Sequence, residues 1–198
     1  MHHQPLLVVL RAEQPLQLSP QLERLDAIGL RHVELAWNDH PQWCAQATAL
    51  VRRFPRLRLG AASVCTAEAL EAIQAAGLGY AVSPVLDAEL LQASRARGLA
   101  LVPGVFSPSE VHCARQLGCV LVKLFPAASL GAGFWPRLRA PLGGPLPACI
   151  AAGGLGVHDV PTWLDAGVDA VALGGRLDGP AAWDELALLV SRLAASAG

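Results

Sequence analysis

The sequence is poor in charge and carries no excess of either sign. Charged residues make up 16% of its 198 residues, whereas soluble domains typically contain about 25%. The formal net charge is −1. Nucleic-acid binding normally depends on a basic excess, so we expect no nucleic-acid partner. Intrinsic disorder is excluded as well, because 53% of the residues are hydrophobic.

Motifs of membrane, secreted and metal-binding proteins are also missing. The longest charge-free stretch, residues 140–157, contains three prolines and five glycines, which a membrane helix would rarely accept. The five cysteines are odd in number and form no CxxC pair. No HxH or HExxH motif offers metal ligands. With no signal-peptide pattern near the start, we expect a cytoplasmic protein without a membrane helix or a metal.

Lysine is almost absent, and this makes the one lysine informative. Lys123 is the only lysine among fifteen basic residues, and the other fourteen are arginine. Arginine can replace lysine at most surface positions. A guanidinium with a pKa above about 12 cannot lose its proton and act as a nucleophile, however. Lys123 is therefore a candidate for amine chemistry before any motif is considered.

Short apolar runs alternate with amphipathic stretches along the whole chain. Eight strand–helix units predict one α/β domain over residues 1–198, a (β/α)8 TIM barrel. The alternative is an open doubly wound sheet, although the first strand is not followed by its glycine-rich fingerprint. The predicted strands are residues 6–10, 32–37, 57–64, 79–84, 99–105, 120–126, 147–153 and 169–175.

Two charged residues lie inside apolar strand sequences, Lys123 in VLVKLFPA and Glu34 in HVELAW. Because side chains alternate along a strand, each is expected to point away from its apolar neighbours and into the barrel. Burial favours the neutral amine, which can form a Schiff base with a carbonyl. A buried carboxylate can shuttle the protons. The alternatives are a lysine that reaches solvent and a structural salt bridge between the two.

Two glycine pairs end the last two predicted strands, and one arginine follows the first. Gly153-Gly154 lies at the end of the seventh strand and Gly174-Gly175 at the end of the eighth. Barrels often bind phosphate at these positions through backbone N–H groups. Arg11 follows the first strand and could hold a carboxylate. The alternatives are ordinary turn glycines and a surface arginine.

The segment VPGVFSPSEVHCARQLGCVLVKLFPA resembles a known family most specifically. Its PG and SPSE elements, followed by LVKLFP, are similar to the pattern of the KDPG/KHG aldolases, in which this lysine forms the Schiff base. The segment GAASV is similar to the family's GAGTV. The resemblance extends from PLLVVLR to LGGRL and thus covers most of the chain.

The resemblance implies a class I aldolase that reversibly cleaves a 2-keto-3-deoxy-6-phospho sugar acid or 4-hydroxy-2-oxoglutarate. The products would be pyruvate and glyceraldehyde 3-phosphate or glyoxylate. It implies Lys123 as the Schiff-base residue and Glu34 as the proton donor and acceptor. Ser63 takes the place of a threonine hydroxyl near the substrate, and Pro84 matches a proline beside the aldehyde. It further implies no cofactor, a small 2-keto acid as the only partner molecule, and a homotrimer.

The phosphate-binding segments depart from the family pattern. Ala152 stands where one branch has threonine, and Gly175 stands where many members have serine. Asn38 and Arg11 look more like the branch that acts on phosphogalactonate. Two other functions stay open. One is a different phosphate-binding barrel, such as an isomerase or a thiamin-phosphate-synthase-like enzyme. The other is a catalytically silent barrel that binds a sugar phosphate.

Overall fold

The computed structural model describes residues 4–195, which contain nine strands and divide into two compact units. One unit is Leu7–Val102. The other contains the residues from Pro103 onward and those before Leu7. Among the described residues, no helix combines the length and apolar character that crossing a membrane requires.

The unit of residues 7–102 is a parallel sheet in the order β5-β4-β3-β2-β1, connected by helices. A 3-10 helix, Pro15–Leu18, precedes α1. The strands are β1 (Leu6–Leu10), β2 (His32–Ala36), β3 (Arg58–Ala62), β4 (Ala81–Val82) and β5 (Leu101–Val102). The helices are α1 (Ser19–Ala27), α2 (Trp43–Arg53), α3 (Ala67–Ala75) and α4 (Ala88–Ala96).

The second unit is also a parallel sheet, in the order β9-β8-β7-β6. Two 3-10 helices, Ala127–Ser129 and Val157–Asp159, follow β7 and β8. The strands are β6 (Gly104–Val105), β7 (Leu121–Leu124), β8 (Ala148–Ala152) and β9 (Ala170–Leu173). The helices are α5 (Pro108–Gln116), α6 (Phe134–Arg137), α7 (Arg139–Leu142), α8 (Val160–Asp165) and α9 (Gly179–Ala195).

One strand prediction is wrong in a way that changes the strand count. Residues 99–105 were expected to form one strand, but they form two short ones, β5 and β6, on either side of Pro103. Proline has no N–H to donate to a sheet ladder, so a continuous strand is interrupted there. The Pro103 carbonyl still accepts a hydrogen bond of 2.8 Å from the Lys123 N–H. Eight predicted strands thus become nine.

A capping box is present at the start of α5. The Ser107 hydroxyl accepts a hydrogen bond from the Glu110 N–H, and the Glu110 carboxylate accepts from the Ser107 N–H and hydroxyl and from the Phe106 N–H. Burial acts to raise the pKa of Glu110, but these three hydrogen bonds outweigh it and lower that pKa below its ordinary value. The motif therefore holds a charged carboxylate at the helix N-terminus, where the helix dipole favours it.

Candidate active site

Glu34 lies in the middle of β2 and is only 1% exposed. Its neighbours along the strand, Val33 and Leu35, are completely buried apolar residues. In the parallel ladder Glu34 is opposite Val9 of β1 and Gly60 of β3. Paired residues of a parallel sheet point to the same face, so the Glu34 carboxylate shares its face with a strand position that has no side chain.

The space above Gly60 is filled by Tyr80, the residue before β4. A Cβ placed on Gly60 would lie 2.5–2.6 Å from the outer carbons of the Tyr80 ring. Only glycine allows this close approach. The Tyr80 hydroxyl oxygen is buried, and burial together with the nearby charge of Glu34 raises the Tyr80 pKa well above 10.0. Tyr80 is therefore a neutral hydroxyl group at physiological pH.

Arg11 and Ser63, each predicted to contact substrate, are brought together. Arg11 directly follows β1 and Ser63 directly follows β3, and the Arg11 Nη1 donates a 2.8 Å hydrogen bond to the Ser63 hydroxyl oxygen. Ser63 has a φ of 63°, a conformation that non-glycine residues rarely adopt. Because its oxygen accepts from Arg11, the Ser63 hydroxyl keeps its own proton to donate to a ligand.

Asn38 anchors the segment that carries Arg11. Its side-chain amide donates to the carbonyls of Ala12 and Glu13, both at 3.1 Å, and its oxygen accepts from the His40 N–H. The backbone after β1 is thereby tied to the backbone after β2. The sequence indicated Asn38 only through a similarity to one branch of a family. In the structure, its side chain holds the segment after β1 in place.

Pro84 follows the short strand β4, at the same edge of the sheet as Arg11 and Ser63. The preceding Ser83 is 1% exposed, and its hydroxyl accepts a 3.2 Å hydrogen bond from the Val85 N–H. This hydrogen bond turns the chain over Pro84. All three predicted substrate-binding residues of this unit therefore lie beyond the carboxyl ends of strands, where barrels bind ligands.

Lys123 lies in β7 and is 5% exposed. Its Nζ is 5.3 Å from the centre of the Phe125 ring, which is within the range of a cation–π contact. On β6 its ladder partner is Gly104, so no side chain occupies that position beside the amine. The structure thus gives Lys123 a buried position between an aromatic ring and a glycine.

Gly153 and Gly154 follow β8 and are packed against the segment after Lys123. They have φ angles of 95° and 77°. A Cβ on Gly153 would lie 2.8 Å from the Phe125 ring, and one on Gly154 would lie 2.8 Å from Ala128. The Gly153 carbonyl accepts a 3.1 Å hydrogen bond from the Ala128 N–H. Conformation and packing thus require glycine at both positions, whatever they bind.

Gly174 and Gly175 follow β9, which pairs with β8. The Gly174 carbonyl accepts a 2.8 Å hydrogen bond from Leu177 and closes a turn. Gly175 differs from Gly153 because no other group lies within 4 Å of a Cβ built on it, and its φ is not positive. The two glycine pairs lie at the carboxyl ends of adjacent strands. Among residues 4–195, no cluster of His, Cys, Asp or Glu side chains is arranged to hold a metal ion.

The family model described as KDPG and KHG aldolase matches residues 1–185. The chain belongs to this family. It is 27% identical over 174 residues to the 2-dehydro-3-deoxy-6-phosphogalactonate aldolase of Escherichia coli (strain K12), covering 87% of this chain and 84% of that protein.

Solved structures of related proteins have the same fold. A native KDPGal structure superposes with a TM-score of 0.82 at 24% identity, covering 98% of this chain and 95% of the other. KDPG aldolase from Legionella pneumophila, with pyruvate captured at low pH as a covalent carbinolamine intermediate, is 28% identical. It superposes with a TM-score of 0.77 and covers 100% of this chain and 95% of the other. The predicted fold class, an α/β TIM barrel, is confirmed.

Two side chains at the candidate site of this KDPG and KHG aldolase family member, Phe125 and Tyr80, were not predicted from the sequence. Phe125 lies within the lysine motif, and its place beside the Lys123 amine follows from the alternation of side chains along β7. Tyr80 had no local signal, because its position over Gly60 depends on the register between β3 and β4.

Proposed function

We propose that the protein is a class I aldolase in which Lys123 forms the Schiff base and Glu34 donates and accepts protons. The observation that carries the proposal is the burial of the only lysine of the chain inside a strand, next to Phe125 and Gly104, in a member of the KDPG and KHG aldolase family. The neutral amine is the nucleophilic form of lysine.

The proposed reaction begins when the Lys123 Nζ lone pair attacks C2 of a 4-hydroxy-2-keto acid. A proton moves from nitrogen to the former ketone oxygen, the Glu34 carboxylic acid donates a second proton to this oxygen, and water leaves to give an iminium ion. The Glu34 carboxylate then takes the proton of the C4 hydroxyl. The C3–C4 bond breaks, its electron pair moves toward the iminium to form an enamine, and the C4 fragment leaves as an aldehyde.

The second half returns the enzyme to its starting state. The Glu34 carboxylic acid protonates C3 of the enamine, which gives the iminium of pyruvate. Water adds to C2, the Glu34 carboxylate takes the proton that this addition releases, the carbon–nitrogen bond breaks, and pyruvate leaves with the Lys123 amine restored. Every step moves protons and electron pairs within the substrate, the two side chains and water. The proposed reaction therefore needs no metal and no organic cofactor.

We assign the substrate carboxylate to Arg11 and Ser63, because a guanidinium fixed to a hydroxyl presents several donors to one anion. Pro84 is proposed to border the aldehyde side. Phosphate is assigned to the loops of Gly153-Gly154 and Gly174-Gly175, at the strand ends where barrels bind it. The substrate is then a 2-keto-3-deoxy-6-phospho sugar acid, or 4-hydroxy-2-oxoglutarate if the phosphate contacts are weak.

Borohydride reduction in the presence of pyruvate tests the function. The expected result is one reduced pyruvyl group per chain, on Lys123 by peptide mass spectrometry, and pyruvate release from a 2-keto-3-deoxy-6-phospho sugar acid. Lys123→Arg keeps the charge and should abolish both. The matched control is Lys123→Arg with Arg137→Lys, which restores one lysine at an exposed position and should not be trapped.

A wild-type protein that is not trapped would contradict the Schiff-base mechanism. It would favour one of the other two functions, a different phosphate-binding barrel or a catalytically silent one. Binding of a sugar phosphate, measured by calorimetry on the untrapped protein, would then support these readings. Turnover by Lys123→Arg would contradict the role of Lys123 directly.

We also propose that the enzyme is a cytoplasmic homotrimer in which residues 1–198 form one catalytic domain. Support comes from the low charge fraction of 16% and from large exposed apolar side chains that an interface could cover. These side chains are Leu16, Val85, Phe106, Val120 and Leu188. Light scattering should give three times the chain mass, and thermal unfolding should show one transition; a monomer mass or two transitions would contradict the proposal.

A further inference from the structure

Three register positions form one row on the sheet of residues 7–102. Glu34 of β2 is opposite Gly60 of β3, and the pairing of Ala61 with Ala81 puts Tyr80 next to Gly60 in the same row. The Tyr80 ring extends over Gly60, and its Cε1, Cε2 and Cζ atoms lie closest to the position that a Gly60 Cβ would take. The ring thus spans β3, the strand that separates Tyr80 from Glu34.

The Tyr80 hydroxyl is buried, and no hydrogen-bond partner for it occurs within the part of the chain that the structure describes. A buried hydroxyl that makes no hydrogen bond is costly, and native proteins rarely keep one without a reason. Phenylalanine would fill the same space without this cost. The hydroxyl therefore points to a function, and the nearby charge that acts on it is that of Glu34.

We propose that Tyr80 is a positioning residue for Glu34. Its hydroxyl donates a hydrogen bond to a water molecule, which in turn donates to the Glu34 carboxylate. This hydrogen bond stabilises the charged form of Glu34 and orients it. The inference rests on the proposed function, in which Glu34 relays the protons. A donor that favours the carboxylate keeps Glu34 ready to accept the C4 hydroxyl proton.

Three other titratable groups of residues 7–102 are near this row: Arg11, two residues after Val9, and His32 and Arg58, one row before Glu34. His32 and Arg58 are ladder partners two residues before Glu34 and Gly60. Burial and the positive charge of Arg58 lower the pKa of His32, so His32 is neutral at neutral pH. Besides Tyr80, the row of Glu34 contains Val9 and Gly60, neither of which titrates. A pH effect of removing the Tyr80 hydroxyl is therefore expected to come from Glu34.

The coupling can be measured without any activity, because Tyr80 is the only tyrosine of the chain. The near-ultraviolet absorbance of tyrosinate then reports Tyr80 alone. We expect its ionisation midpoint to lie above about 10, the ordinary value. Glu34→Gln should lower the midpoint by about one pH unit, because a negative charge is lost beside the hydroxyl. The control Glu89→Gln, exposed on α4, should leave it unchanged.

Tyr80→Phe tests the consequence for catalysis. The acidic limb of the kcat–pH profile should move to higher pH by about 0.5–1 unit, because Glu34 loses a donor that favours its charged form. KM should change less than about twofold, since no substrate contact is removed. Borohydride trapping of pyruvate should persist. This pattern separates a positioning role from a structural one, which would leave the profile in place.

Each failure has its own meaning. If the tyrosinate midpoint is the same in the wild type and in Glu34→Gln, or if the acidic limb of Tyr80→Phe does not move, the positioning role is wrong. If the wild type is not trapped by borohydride, the proposed function is wrong. The absorbance titration still decides whether Tyr80 and Glu34 interact in that case, because it needs neither substrate nor turnover.

Discussion

Two glycines of the proposed phosphate loops should respond very differently to the same substitution. Gly153 has a φ of 95°, and its Cβ would lie 2.8 Å from the Phe125 ring and 3.0 Å from the Pro126 Cα. Gly175 has no positive φ and no other group within 4 Å of its Cβ position. Alanine adds only a methyl group, so the pair compares a required glycine with a permissive one.

The expected cost at Gly153 has two parts. Forcing a residue with a Cβ into a positive φ costs about 1–2 kcal/mol. Overpacking against the Phe125 ring and a backbone atom that cannot move aside adds about 1–3 kcal/mol. Gly153→Ala should therefore lower the free energy of unfolding by about 2–5 kcal/mol. Gly175→Ala should change it by less than about 0.5 kcal/mol.

Urea denaturation followed by far-ultraviolet circular dichroism measures both values, with equal m-values as the condition for comparing them. Gly153→Ala should also reduce turnover more than Gly175→Ala, because a displaced Phe125 no longer lies beside the Lys123 amine. Equal unfolding free energies for the two variants would refute the reasoning. They would mean that the loop after β8 can rearrange without a loss of stability, and that packing does not require glycine there.

Three further predictions concern phosphate binding and pH. Gly175→Ser should raise the ratio of kcat/KM for a 6-phosphorylated keto acid to that for its unphosphorylated counterpart by about tenfold. The position has room for the side chain, and its hydroxyl can add a hydrogen bond to a charged group. An unchanged ratio would argue against phosphate at this loop. The Tyr80 pKa is raised by burial, so the stability that its neutral form contributes is fully present below about pH 10 and is lost as pH rises through the folded-state value. Unfolding titrations above pH 10 should show this loss in the wild type and not in Tyr80→Phe. The Glu110 pKa is lowered overall. The stability that its charged form contributes is therefore present above pH 4.5 and is lost as the pH falls through the folded-state pKa. Glu110→Gln should cost about 1 kcal/mol at pH 7, and the difference from the wild type should disappear in acid; a constant difference would show that charge is not involved.

The sequence was sufficient to identify the residues proposed for the chemistry and to find the strands that carry them. Lys123 and Glu34 lie inside short apolar runs, and the alternation of side chains along a strand is a local property that a sequence displays directly. The lysine motif indicated the family, which the match over residues 1–185 confirms. The contact between Arg11 and Ser63 was not predicted, because Ser63 was expected to lie inside a strand of residues 57–64 and the observed strand ends at Ala62.

What the sequence could not predict depends on pairing between strands that are distant in the chain. The break at Pro103 depends on where the ladders of β5 and β6 need a donor, and a local apolar run does not reveal this. The requirement for Gly153, and not Gly175, depends on the Phe125 ring that packs against it.

The position of Tyr80 beside the row of Glu34 follows from the register of three strands and from the absence of a side chain at Gly60. A sequence determines which face of its own strand a residue points to, because that alternation has a period of two. Which side chains from other strands meet on that face is decided by register and packing, and only the tertiary structure supplies these.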